Sequence, residues 1–580
     1  MDAVTDYNLS QRRTNRSEAF MRDPTILMQP QRLAALQPSR VSASRALIAR
    51  AMKGRWKITR TQFDLDERAR GVACYRIEAD GWDFSFPVFS FEPSGEMRTF
   101  RIIGRSWDMM GSLVEGRISQ ADMETTRQEM PKLYHGRATP GTLVWCRSNR
   151  SARVLDYCVE SLAAGSQPRA DIMAAASYAM RNTGLDGNGT FGTRSFMALE
   201  RNHPLRPSLG AQMLTAYMMR VFAYDLIAHL ARTKGGSKAI PLSPDLERFL
   251  GVGNGSALGL MFFVHNHPRL IDRWLRSREQ ALATAKMTEI DREAKPLDLI
   301  LGLLDRAIIY RQQDKTQYDL LTSSHAIAID LKNIRKEIVG LRDRVRAGVA
   351  PDTTPLVGFC DSIEGRFDPN AIETLNSLLI ELVPDVADGL GHTLVLDEEL
   401  VSRPEMPVAR LREIIRSEYR WAFDLDLTSE RSQRYIWYKS VNAEEPRRGP
   451  RDEAPDAYGL GLDLPRLVVA LDRDLAAFDG KVSVARFLAT HPYHRLIVTR
   501  VQALAGLPYH SPHADIMSED FVPAHITRML NGAVHGLDKT RDAMGRVIRG
   551  VIMQGAPLPE ELAGGNGDPH WFNPPEPILR

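Results

Sequence analysis

Cysteine is scarce: four in 580 residues, at Cys74, Cys146, Cys158 and Cys360, far apart and with no CxxC pair. That spacing excludes a disulfide-stapled fold and a cysteine-ligated metal site, and reads as buried thiols of a reducing compartment. Long hydrophobic runs are also missing. The N-terminus MDAVTDYNLSQRRTNRSEAF has no signal-peptide h-region, and the most apolar window, Ala257–Val264, falls far short of the ~20 residues that cross a bilayer. A cytoplasmic protein with no membrane partner is expected. Nor does one sign of charge dominate. Lys and Arg number 75 against 72 Asp and Glu, a net charge of +3 that argues against a nucleic-acid partner. GxSxG, HExxH, SxxK and DFG are all absent, so no catalytic signature names a reaction.

What is present is an ordinary globular composition, 43% hydrophobic and 25% charged, long enough for several structural units. Residues 1–45 are polar and Arg-, Ser- and Gln-rich, an N-terminal arm that would fold over the body or over a partner subunit. Residues 46–118 hold alternating, aromatic-rich segments (WKITRTQFDLD, VACYRIEADGWDFSFPVFSF, EMRTFRIIGRSW) that predict an antiparallel meander with one wet face. Residues 119–443 read as a helical body, with helices expected near 152–164, 170–181, 208–233, 257–283, 296–312, 320–347 and 369–388. The prolines and mixed charge of 444–458 mark a linker or lid loop, and 459–580 read as a C-terminal helical region with helices at 465–477, 483–506 and 523–553. The expected fold is mainly α (α+β): a large helical body with one small antiparallel β-sheet near the N-terminus. An apolar stripe at Ile327, Leu331, Ile334, Ile338 and Leu341 reads as a packed amphipathic face or as the seam of a homo-oligomer.

Two segments concentrate glycine, 181–194 (RNTGLDGNGTFGTR) and 251–259 (GVGNGSALG). The first contains a formal GxGxxG, but the residues before it read as helix and no acidic residue lies between Glu200 and Asp225, so a dinucleotide (NAD) site is excluded. Phe191 and Met197 stand where an EF-hand loop needs Gly and Glu, which excludes that calcium motif, and no GK[ST] ending supports an ATP P-loop. Bare backbone N–H groups with Arg181, Asn182, Asn188, Arg194, Asn254 and Ser256 would suit a small anionic ligand, with Lys439 on an aromatic strand as a further anion contact. Tight packing is the alternative use of these glycines.

Six of the 14 histidines fall between positions 491 and 535. His491 and His494 would open a helix of about fifteen residues, roughly 22 Å long, which keeps them away from His510 and His513 at its other end. His510, His513 and Asp515 share one loop and are the candidate chemical centre, with His494 as a further catalytic candidate. Two imidazoles and a carboxylate fit either an open divalent-metal site or metal-free acid–base chemistry. The expected function is therefore an enzyme acting on a small polar, anionic metabolite. A helical assembly scaffold and a metabolite-sensing module are the alternatives.

Overall fold

In the computed structural model the structure describes residues 20–91, 108–129, 141–187 (except 152, 175 and 176), 199–254 (except 201 and 208), 268–313, 322–349, 354–394, 403–429 (except 427), 437–440, 446–448, 458–462, 464–509, 533–537 and 548–577. Its centre is a nine-stranded sheet. In chain order the strands are β1 Lys57–Leu65, β2 Gly71–Ala79, β3 Trp82–Ser90, β4 Met109–Glu115, β5 Thr142–Arg150, β6 Tyr178–Gly187, β7 Gly251–Asn254, β8 Glu289–Ile290, β9 Thr354–Pro355, β10 Trp437–Ser440, β11 Pro446–Arg448, β12 Tyr458–Leu462, β13 Ala533–Leu537 and β14 Ile548–Ile552. The main sheet has the order β1-β2-β3-β4-β5-β6-β7-β14-β13 and curls. Every pairing in it is antiparallel except β6 with β7.

Eight helices position the regions discussed below: α1 Ala43–Lys53, α2 Val154–Ala163, α3 Gly210–Gly235, α4 Pro268–Lys286, α5 Lys295–Gln313, α6 Ser324–Arg346, α7 Pro369–Leu379 and α8 Pro384–Thr393. Parallel neighbours need a crossover, and α3 lies on the path from β6 to β7, packed on β4 to β7 and on α1 and α2. Its first half is buried almost all round, as suits a helix rich in Met, Leu and Ala on every face. Helix α7 opens with Pro369 behind the Asp368 cap, whose carboxylate accepts from the Asn370 N–H at 2.8 Å. The stripe Ile327–Leu341 of α6 is buried, and α6 packs on α5 and α7 of its own chain. A second apolar cluster, from Val408 to Leu504, is built by the helices Val408–Glu418, Leu464–Leu475, Val484–Thr490 and Arg495–Leu504.

The expectation of one small antiparallel sheet near the N-terminus is overturned. The sheet is large and mixed, and it recruits β5, β6 and β7 from the supposed helical body and β13 and β14 from the C-terminal region. The expected helix at 170–181 is a short helical turn, Ala170–Met173, followed by β6; the one at 523–553 contains β13 and β14. The physical reason is burial on both faces. Strand β5 is buried from Thr142 through Ser148, so it lacks the alternation that marks a strand with one wet face. Residues 20–45 contribute Leu27, Leu33, Leu36 and Val41 to the main core. Pro446–Arg448, within the expected linker, pairs with Trp437–Lys439 as a strand.

Candidate functional site: a buried arginine recess

Sequence charge is segregated in a way that dictates the interior. Residues 24–63 contain no Asp or Glu, whereas 367–402 contain no Lys or Arg. Folding brings the two stretches together, and carboxylates of α7 and the turn after it meet arginines from the N-terminal segment. Glu373, fully buried, accepts from Arg22, Arg32 and Arg278. Arg22 also grips Glu279 with two 2.7 Å bonds. This bidentate geometry repays desolvation that a single contact would not. The three nearby guanidinium groups hold the Glu373 carboxyl down to about 2 despite its burial, with Arg22 the largest favourable influence.

Eight residues on, Glu381 is shared by three cationic groups. It pairs with Arg45, with Arg40 at 3.4 Å, and with His570 Nδ1 at 3.3 Å. Arg40 is better served elsewhere, by Asp388 at 2.7 and 3.1 Å. The consequence falls on Arg45. Burial lowers its pKa more than its share of Glu381 raises it, while the Glu381 carboxyl is itself held below the usual range by Arg45, His570 and Arg40. The Arg45 guanidinium lies 3.7 Å above the Phe572 ring, and its buried Nη1 has no protein partner. A buried cation with a spare donor is a strong departure from ordinary pairing.

Arg45 lines a recess between α1, α5, α7 and the C-terminal segment 551–574. Its free cavity is about 60 Å³, within a wider space of about 640 Å³ counted out to solvent. Arg311 is the second guanidinium in the wall; it donates to Gln37 Oε1 at 2.9 Å and has no carboxylate partner among the described residues. Tyr310, Trp571 and Phe572 supply aromatic surface, and Gln37, Gln554 and Asn573 supply amides. No Asp or Glu is among the lining residues. The two aliphatic hydroxyls in the wall have structural work: Ser377 donates to Gln37 O at 3.1 Å and Thr374 to Asn370 O at 2.7 Å. Ser377 also accepts from Arg278, and the chain of contacts runs on through Glu373 to Arg22, whose carbonyl receives the Tyr509 hydroxyl at 2.9 Å. Tyr509 directly precedes the histidine-rich segment in sequence.

The residues singled out from sequence are placed as follows. Asn188, Arg194, Ser256, His510, His513 and Asp515 lie outside the described residues, as do the side chains of Asn254 and Lys439. The two glycine-rich segments do meet: β6 and β7 run side by side, with Arg181 opposite Gly253 and Asn182 opposite Asn254. Asn182 is fully buried and accepts from Ser148 Oγ. The close approach accounts for two glycines. A Cβ on Gly253 would stand 2.7 Å from the Tyr178 ring, and one on Gly251 would stand 2.5 Å from the Ile552 carbonyl oxygen. His494 sits elsewhere, in the C-terminal helical cluster. Its Nε2 is 2.8 Å from Asp474 Oδ2 and its ring stacks on Phe487 at 5.7 Å. Hydrogen bonds from His494, Arg473 and Tyr493 hold the Asp474 carboxyl down to about 2. Among the described residues no group of three or more His, Cys, Asp or Glu side chains could hold a metal, and no helix is long and apolar enough to cross a membrane.

Neither arginine of the recess figures among the residues chosen from motifs. For Arg45 the readable signal is the segregation of charge, because arginines in an acid-free segment that also carries apolar anchors have to find carboxylates far away in the chain; Arg311, between Asp305 and Asp314, carries no such signal. Compared with known proteins, the chain matches no family model, no curated protein and no solved structure.

Proposed function

We propose that this protein binds a small organic anion in the recess between α1, α5, α7 and the C-terminal segment, as a metabolite-binding module. One observation carries the reading: two guanidiniums, Arg45 and Arg311, line a recess with no carboxylate in its wall, and Arg45 keeps a donor without a partner. An anionic group would supply the missing acceptor at a charge-assisted bond worth about 1.5–3 kcal/mol. The tight inner volume suits a carboxylate or similar oxyanion head, with a flat remainder lying toward Tyr310 and Trp571. Binding rather than turnover is favoured because Ser377 and Thr374 are already committed to backbone carbonyls.

The test is thermal unfolding of the whole protein with acetate, benzoate, inorganic phosphate and the neutral amides acetamide and benzamide. An anion at a hundred times its Kd adds about 2.7 kcal/mol of stability. The expected result is a rise in Tm with at least one anion, none with its amide, and loss of the effect in Arg311→Gln. No rise with any anion, or an equal rise in Arg311→Gln, would remove the proposal.

A further inference from the structure

The C-terminal wall of the recess is preceded by a histidine. His570 comes directly before Trp571, Phe572, Asn573 and Pro574, all of which line the recess. Its backbone N–H donates to Asp568 Oδ1 at 2.8 Å, and Asp568 pairs with Arg306 of α5 at 2.7 Å. Its ring Nδ1 stands 3.3 Å from Glu381 Oε2, in the short turn Ile380–Leu382 after α7. That nitrogen carries a proton in either charge state, because a bare lone pair would face the carboxylate. The proton gained in acid therefore goes to Nε2. The side chain is 23% exposed, so a proton reaches it without unfolding.

The charges around Glu381 balance without this ring. Glu381 and Asp388 of α8 supply two negative charges, and Arg40 and Arg45 supply the two positive charges paired with them. The Arg306–Asp568 pair adds nothing to the sum. His392, also on α8, has its pKa lowered by burial and by Arg50, which biases it to the neutral form. Arg45 lines the recess, whereas Glu381 does not. An anion in the recess therefore meets an arginine whose charge Glu381 already offsets. With His570 neutral the group sums to zero. With His570 protonated it sums to +1, the charge that an incoming anion neutralises.

We propose that an anion enters the recess together with a proton on His570, so that the site holds its ligand more tightly in mild acid. The inference rests on the recess being an anion site. Imidazole is the side chain that ordinarily changes charge between pH 5 and 8. Reciprocity requires the bound anion to raise the proton affinity of the ring by the same factor that the proton raises the affinity for the anion. A coupling of about fivefold, the low end of the common range, makes binding about three times tighter near pH 6 than near pH 8.

The experiment is calorimetric titration of the full chain with nitrate and with acetate near pH 6 and near pH 8, using wild type, His570→Gln and Arg311→Gln. Nitrate has the planar shape of a carboxylate and stays ionised throughout. Wild type should bind at least about three times more tightly at the lower pH, and His570→Gln should bind equally at both. Titration of wild type near pH 6.5 in two buffers of different ionisation enthalpy should show net proton uptake, a result that needs no variant. Binding to wild type with no pH dependence and no proton uptake, or a pH dependence unchanged in His570→Gln, would overturn the proposal. If Arg311→Gln still abolishes that binding, the recess stands as an anion site and only the coupling to His570 falls. No binding to wild type at either pH, or binding indifferent to Arg311→Gln, removes both.

Discussion

Glu373→Gln removes one charge from the most deeply buried ionic network while keeping its shape. In the native protein Glu373 is 0% exposed and balances Arg278 and part of Arg22 and Arg32. The amide leaves Glu279 alone to serve both Arg22 and Arg278. Breaking a buried pair by removing one partner costs about 3–5 kcal/mol. Proton linkage gives a figure of the same size. The carboxyl is held at about 2 against an ordinary 4.5, and that difference corresponds to about 3 kcal/mol. Because the folded value is depressed, the contribution is fully present above pH 4.5 and is lost as pH falls from there through 2. By about pH 3.5 about 1 kcal/mol of it should be gone. Urea unfolding of wild type and variant at pH 7 and at about pH 3.5 measures both quantities. A difference below about 1 kcal/mol at neutral pH, or one that does not shrink in acid, would refute the argument.

Gly253→Ala should cost about 1–3 kcal/mol by driving a methyl into the Tyr178 ring, and a double-mutant cycle with Tyr178→Ala should recover much of that loss in denaturant unfolding. His203, packed against Trp82 and Phe84, has its pKa lowered to about 4 by burial. Its neutral form is favoured by folding, so stability should decline as pH falls from 6.5 toward 4; an NMR titration of the ring showing a midpoint near 6.5 would contradict this. All four cysteines are buried, and burial pushes the Cys158 and Cys360 thiols up to about 12 and about 11. A thiol reagent such as DTNB should therefore label none of them in the native protein and all four after unfolding.

Local patterns were legible where one face is wet or one stripe is apolar. The turn at Ala79-Asp80-Gly81 and its two strands, the stripe of α6 and the long apolar helix α3 all follow from period and turn chemistry. Strands β5, β6 and β14 were not legible, because TLVWCRS is buried on both faces and the other two are glycine-bearing strands that each take β7, far off in sequence, as one of two partners. The glycine-rich segments illustrate the limit. Their shared location in space was not deducible, and at Gly251 and Gly253 the structure uses glycine for strand packing. No histidine or glycine motif marks the recess, and Arg45 stands out only when charge is followed along the chain. Glu373 and Glu381 lie in a stretch without Lys or Arg, and Arg45 and Arg50 lie in one without an acidic residue.

An anion held in the recess at Arg45 and Arg311 would be directly visible in a crystal. The most direct measurement is the anomalous difference map from crystals of the protein soaked in sodium bromide, recorded for wild type and Arg311→Gln. The account predicts a bromide peak inside the recess, within hydrogen-bond reach of the Arg45 and Arg311 guanidiniums, that disappears in Arg311→Gln. Bromide on surface arginines with the recess left empty in wild type would contradict it.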